Sequence, residues 1–187
     1  MKKTSKKTKW KQWAKLTFLV LFLLLVIWIV NLIWFKPFNI EHLYDRTFVK
    51  VMLRNPELIT QLDVPVLYRF TKSELTDASD EADRDLLNFY KEEYETLQKY
   101  DFDELSEENQ LNNKILGWYL NNLLERENFF YQGYSFDHLN GGALSFPRFM
   151  QEYHKLEKES DVTAYINRLE KFPFKINQLI TKDSIRA

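Results

Sequence analysis

Apolar residues recur along most of this chain at helical spacing, and in one place they run without interruption. Residues 16–35, LTFLVLFLLLVIWIVNLIWF, carry no charge, and only Thr17 and Asn31 are clearly polar. Twenty residues at a rise of ~1.5 Å each span roughly 30 Å, the hydrocarbon thickness of a bilayer. A helix is the form expected there, because every backbone polar group must find its partner within the segment.

Beyond Pro37 the apolar positions separate into stripes. Ile40, Leu43, Tyr44, Phe48, Val51 and Met52 follow the i, i+3/i+4 rule of one helix face. Asn55-Pro56-Glu57 predicts a helix start, with Asn as cap, Pro in the first position and an acid at the positive end of the helix dipole. Pro65 is expected to end that short element, and residues 71–85 read as a polar connector. Leu86, Phe89, Tyr90, Tyr94 and Leu97 form the next stripe, over about 80–100. Ser106 predicts another start, followed by Leu111, Ile115, Tyr119 and Leu123 every four residues with Leu116 and Leu124 beside them. Asp161 opens a last helix with Val162, Tyr165, Ile166 and Leu169 on its apolar face, which Pro173 kinks or restarts. No segment alternates with period two, and no hairpin turn joins two strands. The expected fold class is all-α: a transmembrane helix followed by a helical domain.

Charge adds a direction. Residues 1–15 hold seven lysines and no acid; removing these from the 26 Lys and Arg leaves 19 basic against 27 acidic residues. Lysines beside an apolar span favour a cytoplasmic N-terminus, with Trp10 and Trp13 at one interface and Trp34 at the other. A cleaved signal peptide has a shorter apolar stretch and a small-residue cleavage site, whereas this run ends in Ile33-Trp34-Phe35-Lys36-Pro37. The expected organisation is a basic cytoplasmic tail (1–15), a single-pass signal anchor in the lipid bilayer (16–35) and an extracytoplasmic helical domain (36–187). The acidic balance of that domain argues against a nucleic-acid partner.

The chemistry of common sites is missing. With no cysteine there are no disulfides, thiolate zinc sites or cysteine nucleophiles. His42, His138 and His154 lie far apart, so no H-E-x-x-H pair exists, and Glu157 three residues after His154 is a chance spacing. The glycines form no phosphate-binding pattern, and Ser145 lies in no G-x-S-x-G elbow.

Between 134 and 180 several elements follow in a set order. A loop ends in Leu139-Asn140-Gly141; Ser145-Phe146-Pro147 follows; then come Tyr165 with Arg168-Leu169, Phe172-Pro173 and an Ile/Leu-rich helix. Upstream stands Asn55-Pro56-Glu57-Leu58. This succession, covering most of 40–187, resembles the N-terminal part of a bacterial family known as domain of unknown function 885. Gly141-Gly142-Ala143 replaces the family's N-G-P-H variation, so no contact of that Pro or His carries over. The resemblance implies a larger helical, gluzincin-like zinc metallopeptidase, often secreted or membrane-attached, whose N-terminal helices wall one side of a substrate channel. It places the H-E-x-x-H motif downstream of the matched region, so zinc is expected only in a longer member and no catalytic or metal residue is assigned here.

Residues 138–150, HLNGGALSFPRFM, are expected to form a buried corner between two helices, with Ser145 as cap and Pro147 in the first turn of the second. In a longer protein His138, Asn140, Ser145 and Arg148 would line the cleft. Two functions follow. The chain is the anchor and N-terminal helical portion of an extracytoplasmic zinc peptidase, not catalytic by itself, with an apolar face that docks its missing catalytic part. Alternatively it is a complete, non-enzymatic, membrane-tethered interaction module.

Overall fold

A computed structural model describes residues 4–130, 132–136 and 141–186. Its elements among the described residues are all helical: α1 (Thr4–Trp34), α2 (Ile40–Arg54), α3 (Pro56–Gln61), α4 (Pro65–Thr71), α5 (Asp80–Leu97), α6 (Glu107–Glu125), a 3-10 turn (Arg126–Phe129), α7 (Gly142–Glu152) and α8 (Glu159–Arg186). The chain divides into two compact units, Met1–Arg46 and Thr47–Ala187, with the boundary inside α2.

In the first unit, Trp13–Trp34 of α1 is long and apolar enough to cross a membrane, with a mean hydropathy of 3.0 and none of it buried. A membrane anchor and a signal sequence share that form. The end of α1 is closed by cationic and amide donors, as the negative end of a helix dipole favours. Arg46 Nη1 donates to the Phe35 carbonyl at 2.6 Å and to that of Leu32 at 3.3 Å, and Asn31 Nδ2 donates to the Lys36 carbonyl at 2.9 Å.

The second unit has two apolar centres. In one, Phe89, Tyr90 and Leu120 join α5 to α6, with Val51, Leu116, Leu123 and Leu124 packed around them. Beside it the carboxylate of Glu93, buried on α5, accepts from Thr47 Oγ1 at 3.0 Å and pairs with Lys50 at 3.4 Å. In the other, Phe146, Phe149 and Met150 of α7 meet Tyr165 and Phe172 of α8 and Leu75 of the connector.

Local signals place most helix starts. Asn55 accepts from the Leu58 N–H at 3.1 Å with Pro56 in the first position, and Ser106 accepts from the Asn109 N–H at 3.3 Å. Ser79 caps α5 through the Ala82 N–H at 3.1 Å, so the polar connector stops at Ser79 rather than running to 85. Pro65 begins α4 instead of ending α3, since proline suits a first helical turn. What ends α3 is Leu62 and Asp63, the latter at φ 50°.

Several expected faces are rotated. On α2, Thr47 is buried and Phe48 exposed, because Thr47 has the Glu93 carboxylate to satisfy. On α6, Leu111, Ile115 and Tyr119 are exposed, and the buried position is Leu120. A strict four-residue repeat drifts about 40° per step around a helix of 3.6 residues per turn, so it cannot hold one face. On α8, Val162, Ile166 and Leu169 lie outside, while Ala164 and Arg168 are buried. Asp161 does not open α8, which starts at Glu159; its carboxylate reaches back to the Lys158 and Glu157 N–H groups at 3.0 and 3.3 Å. α8 continues through Pro173.

Candidate cleft between α3, α7 and α8

Three of the segments singled out in the sequence come together. A cleft of about 320 Å³ is walled by Glu57 and Gln61 of α3, by Ser145, Phe146 and Phe149 of α7, and by Phe172 and Lys175 of α8, among others. Its aromatic wall is tightly built: the Phe146 and Phe172 rings stack with centroids 3.9 Å apart and planes 9° from parallel. Its charged element is one ion pair, with Lys175 Nζ 2.6 Å from both oxygens of Glu57 and each side chain under one-fifth exposed. An apolar wall facing a few fixed polar groups is the usual composition of a ligand cleft.

The floor depends on close approach of the α7 N-terminus to α8. A Cβ built on Gly142 would lie 2.6 Å from Leu179 Cδ1, so this position needs glycine for space. The Gly142 N–H donates to the Ser135 carbonyl at 3.0 Å. That strand of chain is in turn tied to α8: the Asp183 carboxylate accepts from the Ser135 N–H at 2.8 Å and the Phe136 N–H at 3.1 Å. Burial pushes the Asp183 carboxyl up, but these backbone donors and Arg186 outweigh it and leave it below its ordinary value.

Behind the aromatic wall lies a buried guanidinium. Arg168 has no measurable exposure, and its donors reach four acceptors on four segments: Thr60 Oγ1 at 2.7 Å, the Glu74 carbonyl at 3.0 Å, His154 Nδ1 at 3.0 Å and the Thr71 carbonyl at 3.4 Å. Its charge also sits 5.0 Å from the centre of the Phe149 ring. No carboxylate among the described residues forms an ion pair with it, and burial pushes its pKa down to about 10, leaving it charged at neutral pH. Because arginine only donates, His154 Nδ1 must accept; the proton is then on Nε2, which donates to the Asp161 carbonyl at 3.0 Å. Burial, aided by the Arg168 charge, holds His154 below the usual imidazole pKa.

Of the expected cleft residues, Ser145 lines this cleft and is exposed, its hydroxyl reaching the Gly142 carbonyl at 3.4 Å. It is not a cap: α7 begins at Gly142 with Gly141 before it, and Pro147 lies in the helix interior rather than its first turn. Arg148 is exposed and is not part of the cleft wall. His138 and Asn140 lie outside the described residues. Sequence reading missed Glu57–Lys175, whose partners are 118 positions apart, and the central role of Arg168. The place of Arg168 three residues after Tyr165, in the Tyr165/Arg168-Leu169 element, was the available signal for the second.

Among the described residues no group of three His, Cys, Asp or Glu side chains is placed to hold a metal ion. These residues therefore do not fit a zinc site. A family model described as bacterial protein of unknown function (DUF885) matches residues 56–186, beginning one residue after the Asn55 cap. No curated protein and no solved structure matches the chain.

Proposed function

Since this chain belongs to the bacterial DUF885 family, we propose that it is the membrane-anchored helical portion of an extracytoplasmic zinc peptidase, with the zinc and catalytic groups carried by a further polypeptide segment. In this reading α1 is a single-pass anchor with its lysine-rich end in the cytoplasm, and the cleft between α3, α7 and α8 lies beside the substrate channel. Ser145 and Arg148 are the α7 residues that face that channel.

The observation that carries the reading is the outer face of α8. Val162, Ile166, Leu169 and Ile180 are all at least 45% exposed, and with Pro173 and the half-buried Ile176 between them their spacing is the alternating four and three of a helix-packing seam. The exposed acids Glu159, at its start, and Glu170, at its side, flank that face. An apolar seam of this length on a water-facing domain marks a surface that another element covers.

The test places a photo-crosslinking side chain at Ile166 in the full protein in its native membranes. The expected product joins Ile166 to a peptide from a segment bearing an H-E-x-x-H helix, identified by mass spectrometry. Crosslinks to lipid alone, or only to a second copy of residues 36–187, contradict the proposal.

A further inference from the structure

A second cleft, of about 400 Å³, opens on the other side of the Arg168 network, between α4, the turn before α8 and the first residues of α8. Its charges are unevenly used. Lys72 is committed to Asp161 and Ser160, each at 2.7 Å, and Lys155 to Asp63 at 2.6 Å. Arg69 and Lys158 line the same cleft, are exposed and have no side-chain partner among the described residues. The remaining carboxylate in the wall is Glu157. The two unpaired cations thus outweigh the one unpaired acid.

One further feature is unexplained by the fold. The Tyr68 hydroxyl, in the same wall, is buried and finds no hydrogen-bond partner among the described residues. A buried hydroxyl without an acceptor costs on the order of 1–3 kcal/mol, and such groups call for an explanation. Asp63, at the rim, takes the left-handed conformation that stops α3, at φ 50°, and keeps Lys155 in place. Burial and then the Asp161 charge hold the Tyr68 hydroxyl above its ordinary pKa, against the Arg168, Lys72 and Lys155 charges, so it stays protonated as a donor. An anion brought there would meet the uncommitted Arg69 and Lys158 cations and an O–H donor lacking an acceptor.

We propose that this cleft binds a phosphate group, held by Arg69, Lys158 and the Tyr68 hydroxyl. Donors arriving from α4 and from the turn before α8 suit a tetrahedral oxyanion with several acceptor faces, and guanidinium and ammonium groups are the usual phosphate partners. The group is either free phosphate or the headgroup of an anionic lipid.

Thermal unfolding of the full chain in neutral detergent tests this, with sodium phosphate compared against chloride at equal ionic strength. The expected result is a saturable rise in Tm. The double variant Arg69→Ala/Lys158→Ala should melt as wild type in chloride, since both side chains are exposed, yet need at least tenfold more phosphate for the same rise. Tyr68→Phe should also weaken the response. Repeating the titration with glycerophosphoglycerol separates the sources: a tighter response than to phosphate assigns the site to a lipid headgroup, and a weaker one to free phosphate. No saturable rise, or an undiminished rise in the double variant, overturns the proposal, the latter because the lysine-rich N-terminus would then be the binding element.

Discussion

Arg168 and His154 meet through Nη1 and Nδ1 at 3.0 Å, a contact in which a buried cation is satisfied by a neutral imidazole rather than by a carboxylate. The pair ties α8 to the turn after α7, while the other guanidinium donors tie it to α3, to the end of α4 and to the connector. One side chain therefore holds together the elements from which both clefts are built.

Replacing Arg168 should unfold that junction. Arg168→Ala leaves acceptors on four segments without their donor, and buried groups stripped of a charged partner cost about 3 kcal/mol or more in total. Arg168→Lys should rescue little, because an ammonium cannot reproduce the planar fork. Urea unfolding followed by circular dichroism measures both. A loss below about 1 kcal/mol for Arg168→Ala would show that the network contributes little.

The same contact makes stability depend on pH. His154 is held neutral in the folded state, below its ordinary value of 6.5. The unfolded chain therefore takes up a proton first as pH falls through about 6.5, and stability declines from there down to the folded value. Above that range this residue has no further effect. Asp161, held below its ordinary value first by the Lys72 bond, adds its own loss only at more acidic pH. His154→Asn should flatten the slope of Tm between pH 7 and pH 5; an unchanged slope would assign it to other groups.

Gly142 and Leu179 make a second coupled pair. Gly142→Ala should cost about 1–3 kcal/mol through overpacking, and combination with Leu179→Ala should cost less than the sum of the two single changes. Additivity in a double-mutant cycle would mean that the Cβ is accommodated elsewhere.

The two sides of α8 should respond differently. Phe146→Ala, which removes a buried ring stacked on Phe172, should destabilise by about 3–5 kcal/mol. Ile166→Asp on the exposed seam should change the stability of the chain itself by no more than about 0.5 kcal/mol. Comparable losses in the two melts would place Ile166 in the domain core.

That difference also marks what the sequence could reveal. Caps at Asn55 and Ser106 were legible because each acts on an N–H three residues away. The helical class and the α1 run follow from periodicity alone. The faces of α8 did not, since it carries two stripes and the apolar rule chooses Val162, Ile166 and Leu169. The buried stripe is centred on an arginine, which becomes a core residue only when acceptors from Thr60, Thr71, Glu74 and His154 converge on it. Pro147 likewise reads as a first-turn residue but sits deeper in α7, because the helix starts at Gly142 where the chain can approach Leu179. The cleft was half legible: its segments stood out one by one, but the Glu57–Lys175 pair joins α3 to α8 across most of the domain.

The central claim is that this domain is the scaffold of a larger peptidase. The direct measurement is the intact mass and zinc content of the native protein, captured from its source membranes by an antibody against residues 36–187. The account predicts a polypeptide or stable complex well above the 22.7 kDa of this chain, carrying one zinc and hydrolysing peptides. A mass near 22.7 kDa, with no zinc and no copurifying subunit, would contradict it and leave a membrane-tethered interaction module.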